Sequence, residues 1–431
     1  MLRHTLVFLF TIAFSSATHA DSESQKQNWP QWRGPTSTGV AADGDYPLEF
    51  SATENVVWKV KLPGRGSSTP AIWGDQIFVT TPIDGKDGVI CYNFAGKEQW
   101  KQSFGEEVPG KHRNGSGSNP SPVTDGKHLV TYYKSGTLAC LDLTGNVKWR
   151  TNLQSKYGKD NLWWDLGSSP VIAANNAVVA VMQGKQDREE QTPGQSYLVA
   201  IGLDDGEVAW KQQRQYDRPK ESDQSYTTPR VLNLDGREVI VTWGADFLTG
   251  NDATSGELLW ECGGFNPDDK GFWRVIASPA VDEQVAVVPY GRGDLLAAVN
   301  MNTASGDITA THRLWEKVEI GSDVPTPIIQ GNQVILLGDK GKVHCLNKKT
   351  GEEIWAGRLP KAKAKYYSSP ILAGNKLYCA REDGTIMSCT IDGGLQNVHE
   401  NDMEESVIAT PIPLRDKLLV RGETHLFLLG R

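Results

Sequence analysis

Beyond residue 20 the chain has no apolar run long enough to cross a bilayer as a helix, so no membrane span is expected. It also lacks a surplus of positive charge: 44 Lys and Arg stand against 52 Asp and Glu, a formal net charge of -8. That balance argues against a surface for phosphate backbones or anionic lipid, and nucleic acid is not an expected partner. The 8 His show no metal-ligand spacing, and no Ser-His-Asp or Cys-His arrangement can be recognised. No metal site and no catalytic residue is assigned. Long amphipathic windows of helical period are missing, so helix should be minor.

What is present is turn chemistry and tryptophan: 44 Gly, 22 Pro and 14 Trp in 431 residues. A chain of this length exceeds one ordinary core and calls for two domains or a modular array. The stretch 334–355 decides for the array. It reads as an apolar β run, a turn Gly338-Asp339-Lys340-Gly341, a second run through Cys345, a turn Thr350-Gly351-Glu352 and a last run closing on Trp355. A further strand is expected just upstream at Thr326-Pro327, where Pro can open a strand without losing a ladder hydrogen bond.

This unit returns along the chain. A small residue and Pro open it at Thr69-Pro70, Ser121-Pro122, Ser169-Pro170, Thr228-Pro229, Ser278-Pro279, Thr326-Pro327, Ser369-Pro370 and Thr410-Pro411. Docking tryptophans close it at Trp100, Trp149, Trp210, Trp260, Trp315 and Trp355. The last unit stops after three strands, and Trp58, in a strand with nothing before it, supplies the fourth. The expectation is an all-β, eight-bladed β-propeller of four-stranded antiparallel blades over 54–431, its ring closed by the N-terminal strand. The Asp and Asn of the repeated turns, such as Asp142 and Asp252, are turn-formers rather than catalytic carboxylates.

Residues 1–20 carry Arg3 and His4, an apolar run over 6–14, then small residues ending at Ala20. This is the layout of a cleavable secretory signal, which predicts a periplasmic or secreted protein. No Cys sits at the cleavage site for a lipid anchor. The leader 21–53 contains Trp29 and Trp32, expected to clamp it to the main body. Of the six cysteines, Cys91, Cys140, Cys345 and Cys389 share one third-strand position, which favours separate buried thiols. Cys379 with Cys389 is the one hairpin pair for which a disulfide stays open.

The motif Asp252-Ala253-Thr254-Ser255-Gly256-Glu257-Leu258-Leu259-Trp260 and its relatives resemble the tryptophan-docking repeats of the pyrroloquinoline-quinone-like (PQQ-like, quinoprotein alcohol dehydrogenase-like) propeller superfamily. The leader Trp29-Pro30-Gln31-Trp32-Arg33-Gly34-Pro35 is similar to that of exported propeller proteins of planctomycete-type bacteria. In fold, blade number and length the chain also resembles the propeller lipoprotein of the outer-membrane β-barrel assembly machine, a scaffold that offers a rim to a partner. A quinoprotein dehydrogenase would imply PQQ with calcium at the funnel and a ring disulfide between adjacent cysteines. No Cys-Cys pair and no Cys-x-x-Cys-His motif occur here.

Loops entering the first strands, with the turns between strands two and three, define one variable rim. It gathers Arg65, His112, Arg113, Trp164, Asp165, Tyr226, Trp273, Arg274, Arg292 and Tyr367. Such residues around a funnel could grip a planar anion or a peptide segment, or simply fill the axis and tie blades together. The segment 183–196 is an insertion on the same rim, read as a lid or contact loop. The functional expectation is a monomeric, non-catalytic binding or scaffold module with no cofactor. Its partner would be an envelope protein, a peptide or a small molecule, and the alternative is a PQQ- and calcium-dependent dehydrogenase oxidising alcohols or sugars.

Overall fold

The computed structural model describes residues 27–184, 196–234 and 236–430. The expected signal segment and the body of the 183–196 insertion therefore lie outside the described residues. Eight antiparallel sheets form the blades of a β-propeller. Blades 1 to 7 span 71–106, 123–152, 171–213, 230–262, 280–318, 328–358 and 371–402; blade 8 combines 412–429 with the strand Val56–Lys61. That strand pairs antiparallel with His425–Leu429, from Val56 opposite Leu429 to Lys61 opposite His425. The ring is thus closed by a strand from the other end of the chain.

Within a blade the burial follows the architecture. The second and third strands are covered on both faces by neighbouring blades, so His128–Tyr132 is buried throughout and Thr137–Asp142 nearly so. The outermost strand has one face in solvent, and Val56–Lys61 alternates between half-buried and exposed positions. Cores form between sheets: Val130, Tyr132 and Leu138 of blade 2 pack with Ala177, Val179 and Val199 of blade 3.

Each docking Trp spans an interface. The indole N–H of Trp58 donates to the Phe94 carbonyl (3.0 Å), Trp100 to Leu143 (3.0 Å), Trp149 to Leu203 (2.9 Å), Trp210 to Ala253 (3.0 Å) and Trp315 to Lys348 (2.8 Å). In each case the acceptor lies in the next blade's last turn, whose glycine rests on the indole. A Cβ at Gly256, which sits at φ +78°, would come within 2.5 Å of Trp210. A register shift beside this position recurs in every blade and twists the outer strand toward its neighbour. Trp260 is covered differently: an insertion in blade 5 lays Gly306–Asp307 parallel to Trp260 and Glu261 as a fifth strand. Trp355 joins the apolar cluster shared with Leu395 of blade 7.

All six cysteines are free buried thiols. Cys379 faces Met387 and Cys389 faces Leu377, which leaves the hairpin pair diagonal. Burial pushes the Cys91, Cys140 and Cys389 thiols up to about 12.

The leader crosses the turn-bearing end of the ring. Trp29, 1% exposed, bridges Ile72 on the innermost strand of blade 1. Val40–Ala41 then runs parallel to the innermost strand of blade 7. Further on, Asn401 holds the Phe50 N–H and Leu48 carbonyl, placing the leader over blade 7 before it joins blade 8.

Candidate functional site

The spacing of the lead-in loops lays a cylinder of side chains around the axis. Each innermost strand begins one residue after its Pro, which has no N–H to offer the ladder. The residue before each Pro is always Ser or Thr. The Thr69 N–H donates to the Ser121 hydroxyl (2.9 Å), Ser121 to Ser169 (2.9 Å), Ser169 to Thr228 (3.0 Å) and Thr228 to Ser278 (3.0 Å). Ser278 continues to Thr326 (2.9 Å), Thr326 to Ser369 (3.0 Å), and Thr410 returns to Thr69 (3.1 Å). Between blades 7 and 8 the Ser368 hydroxyl reaches the Ala409 carbonyl (3.3 Å). The blades are therefore stitched into an annulus by hydroxyl groups that accept a neighbour's amide and still carry a proton to donate.

Two residues nearer the mouth, a second ring holds Tyr226, Ile276, Val324, Tyr367 and Ile408 with smaller groups. Together the rings enclose a cavity of about 420 Å³, and Trp32 from the leader lines it as well. The cavity is thus a well rather than a through-channel.

The mouth is braced by two buried carboxylates. Asp165 accepts the Lys111 N–H (2.8 and 2.9 Å), the His112 N–H (2.8 Å) and the Lys134 ammonium (2.6 Å). A side chain at Gly115 would collide with it, since a Cβ there lies 2.1 Å from Oδ2. The same loop crosses to blade 7, where Arg113 and Asn114 donate to Glu382 (2.9 and 2.8 Å). The second brace is Glu221, 3% exposed and held at φ +65°. It accepts the Trp164 indole N–H (3.0 Å) and pairs with Arg292 (2.8 Å) and Arg274 (3.5 Å). Arg274 also forks onto Asp323 (2.6 and 3.3 Å) and lies 5.9 Å from the Trp164 ring centroid. Burial disfavours the Arg274 cation, but the Asp323 bond and charge outweigh it and hold its pKa above the ordinary value.

Of the residues singled out from the sequence, the fold brings His112, Trp164, Asp165, Tyr226, Arg274 and Tyr367 to one cavity wall. His112 stands edge-on to Trp164 and Tyr367 (5.6 and 6.4 Å between centroids). Its Nδ1 accepts the Asn114 N–H (3.1 Å), which assigns the proton to Nε2 and makes that atom a donor. Arg65 is drawn aside by Glu423 (2.8 Å), Arg113 by Glu382 and Arg292 by Glu221. Trp273 packs edge-on to Tyr290 (5.2 Å) and does not line the cavity. Sequence reasoning read Trp32 as a clamp and missed its place on the cavity, and it missed Glu221 and the hydroxyl chemistry of the annulus altogether. The invariable Ser or Thr before Pro was the readable signal for the last.

These residues do not fit a calcium-held quinone. Among the described residues Asp165 is the one carboxylate lining the cavity, and both its oxygens already accept protein donors. Among the described residues no three His, Cys, Asp or Glu side chains gather to hold a metal.

The family described as outer membrane protein assembly factor BamB matches residues 21–190, 86–356 and 299–424, overlapping passes suited to a repeat. The outer membrane protein assembly factor BamB of Burkholderia pseudomallei is 26% identical over 351 residues, 80% of this chain and 80% of its own. Among solved structures, BamB of Moraxella catarrhalis has a TM-score of 0.61 at 16% identity, covering 87% of this chain and 97% of that one. A europium-containing methanol dehydrogenase reaches a TM-score of 0.71 at 10% identity, covering 96% and 100%. Likeness at those identities speaks for the fold alone.

Proposed function

The chain belongs to the outer membrane protein assembly factor BamB family, and on that premise we propose that it is a non-catalytic binding propeller of the bacterial envelope. In this reading it takes a segment of a partner protein at its mouth. The observation that carries the reading is a rigid, aromatic-walled well whose carboxylates are all committed to holding the wall. Asp165 fixes the loop with His112, and Glu221 with Asp323 fixes Trp164 and Arg274. Among the described residues no carboxylate lining the well is left over to shuttle a proton. What remains open to a visitor is the His112 Nε2–H, the faces of Trp164 and Tyr367, and a ring of hydroxyls. Such a surface grips by burial and donated hydrogen bonds.

The Arg and Trp of the wall match the composition that dominates binding energy at protein interfaces. Export, as the N-terminal sequence predicts, would place the mouth among envelope proteins. The test is retention of a partner from an envelope extract by the immobilised mature protein, repeated with Trp164→Ala and with Trp58→Phe on the opposite, outer face. Loss with the first and not the second supports the mouth as the docking surface; equal retention by both refutes it. Dye-linked oxidation of an alcohol or sugar after addition of PQQ and calcium would replace this reading with the dehydrogenase one.

A further inference from the structure

One blade departs from the others at the level just below the hydroxyl annulus. The residue following Pro is apolar in blades 1–3 and 5–8, from Ala71 through Ile371 to Ile412. In blade 4 it is Arg230, only 4% exposed, and its Nε has no hydrogen-bond partner.

A second guanidinium comes to the same level from the leader. Arg33, 1% exposed, donates from Nη1 to the Pro370 carbonyl (2.8 Å) and from Nη2 to the carbonyls of Pro327 (2.5 Å) and Thr38 (3.0 Å). Pro327 and Pro370 are the counterparts of Pro229, the residue before Arg230, so the Arg33 cation sits at the height at which Arg230 joins its strand. The Nε of Arg33 is likewise enclosed without a partner. Among the described residues no carboxylate contacts either group. Burial pushes the Arg33 cation down to about 9, and Arg230 is pushed down by burial first and then by the charge of Arg33. A guanidinium keeps its proton near neutrality, so the two like charges call for a counter-charge.

We propose that a single small monovalent inorganic anion, of halide or nitrate size, binds between Arg33 and Arg230 at the foot of the shaft. There it accepts the two unused Nε–H groups and ties the leader to blade 4. Neither arginine borders the cavity, whose lining on this side includes Trp32, so the place suits an ion and excludes a peptide terminus.

The experiment compares melting of the mature protein in sodium bromide or chloride with melting in sodium gluconate at equal ionic strength. A ligand bound only by the folded state raises Tm, here by about 2 °C or more in the halide. Arg230→Ile, the residue that blades 6 to 8 carry, is expected to lose that dependence and to melt higher than the wild type in gluconate, because an unmatched buried charge has gone. Crystals grown in bromide should show an anomalous peak between the two guanidinium groups. Indifference of the wild type to the anion, or full retention of the effect by Arg230→Ile, overturns the proposal. If that variant fails to fold, the bromide map of the wild type decides, and no peak between the arginines refutes the site.

Discussion

At the residue scale, a single carboxylate sets the shape of the mouth. Glu221 holds Trp164, Arg274 and Arg292 although its own backbone sits in the left-handed region, where a non-glycine residue is strained. Glu221→Ala leaves those donors without their acceptor and should cost about 3 kcal/mol, read by urea unfolding, while weakening partner retention. Nothing in its sequence neighbourhood, Lys220-Glu221-Ser222-Asp223, separates it from an ordinary solvated loop. Its role depends on a turn that aims it inward, which is why the sequence singled out the Trp and Arg and missed the group holding them. A second residue gives a pH dependence. Asp160 has Oδ1 enclosed without a partner, and burial raises its pKa from 3.8 to about 7, against a lowering by the Gln154 bond. The folded state therefore binds more protons than the unfolded chain between those values, and stability falls as pH rises through that window. Asp160→Asn should raise Tm above about pH 7 and change it little near pH 4. Asp87 and Asp246, each pushed up to about 6 by burial, keep part of the slope in that variant.

At the element scale, stability lies in two repeated joints between blades. The outer joint is the Trp that reaches across to the next turn. Trp210→Ala removes a large buried side chain and its bond to the Ala253 carbonyl, with an expected loss of about 3 kcal/mol in a denaturant titration. The inner joint is the annulus. Ser278→Ala strips the buried Thr228 N–H of its acceptor and should cost about 1–3 kcal/mol, whereas Ser278→Thr should melt with the wild type because Thr holds the same place in four blades. Blade number and boundaries were legible because Pro, Gly and Trp each do a fixed mechanical task at a fixed place. The annulus was half legible: the residue before Pro was noticed as small, while its hydroxyl acquires a purpose only when a neighbouring amide is seen to need it. Trp260 keeps the motif yet sits under an inserted strand, since blade 5 spends extra residues between its third and fourth strands. Motif and environment separate there because the insertion changes the partner and leaves the Trp untouched.

At the scale of the whole molecule, the leader turns an open axis into a well, and its path was not readable from a segment with neither periodicity nor turns at regular intervals. Its two tryptophans announced only that they needed cover. The closing strand was legible, since Trp58 had the ending of a blade without a beginning. A chain lacking residues 54–61 should leave His425–Leu429 as a bare edge, with loss of a cooperative melt and formation of higher oligomers on size exclusion. The same closure fixes a sequence of events during synthesis. Residues 56–61 leave the ribosome long before His425–Leu429, the strand they pair with. While the intervening blades are made both ends of the growing arc are sticky, so a nascent chain is most exposed to trapping by a sister chain just before His425–Leu429 emerges, and slowing elongation lengthens that hazard.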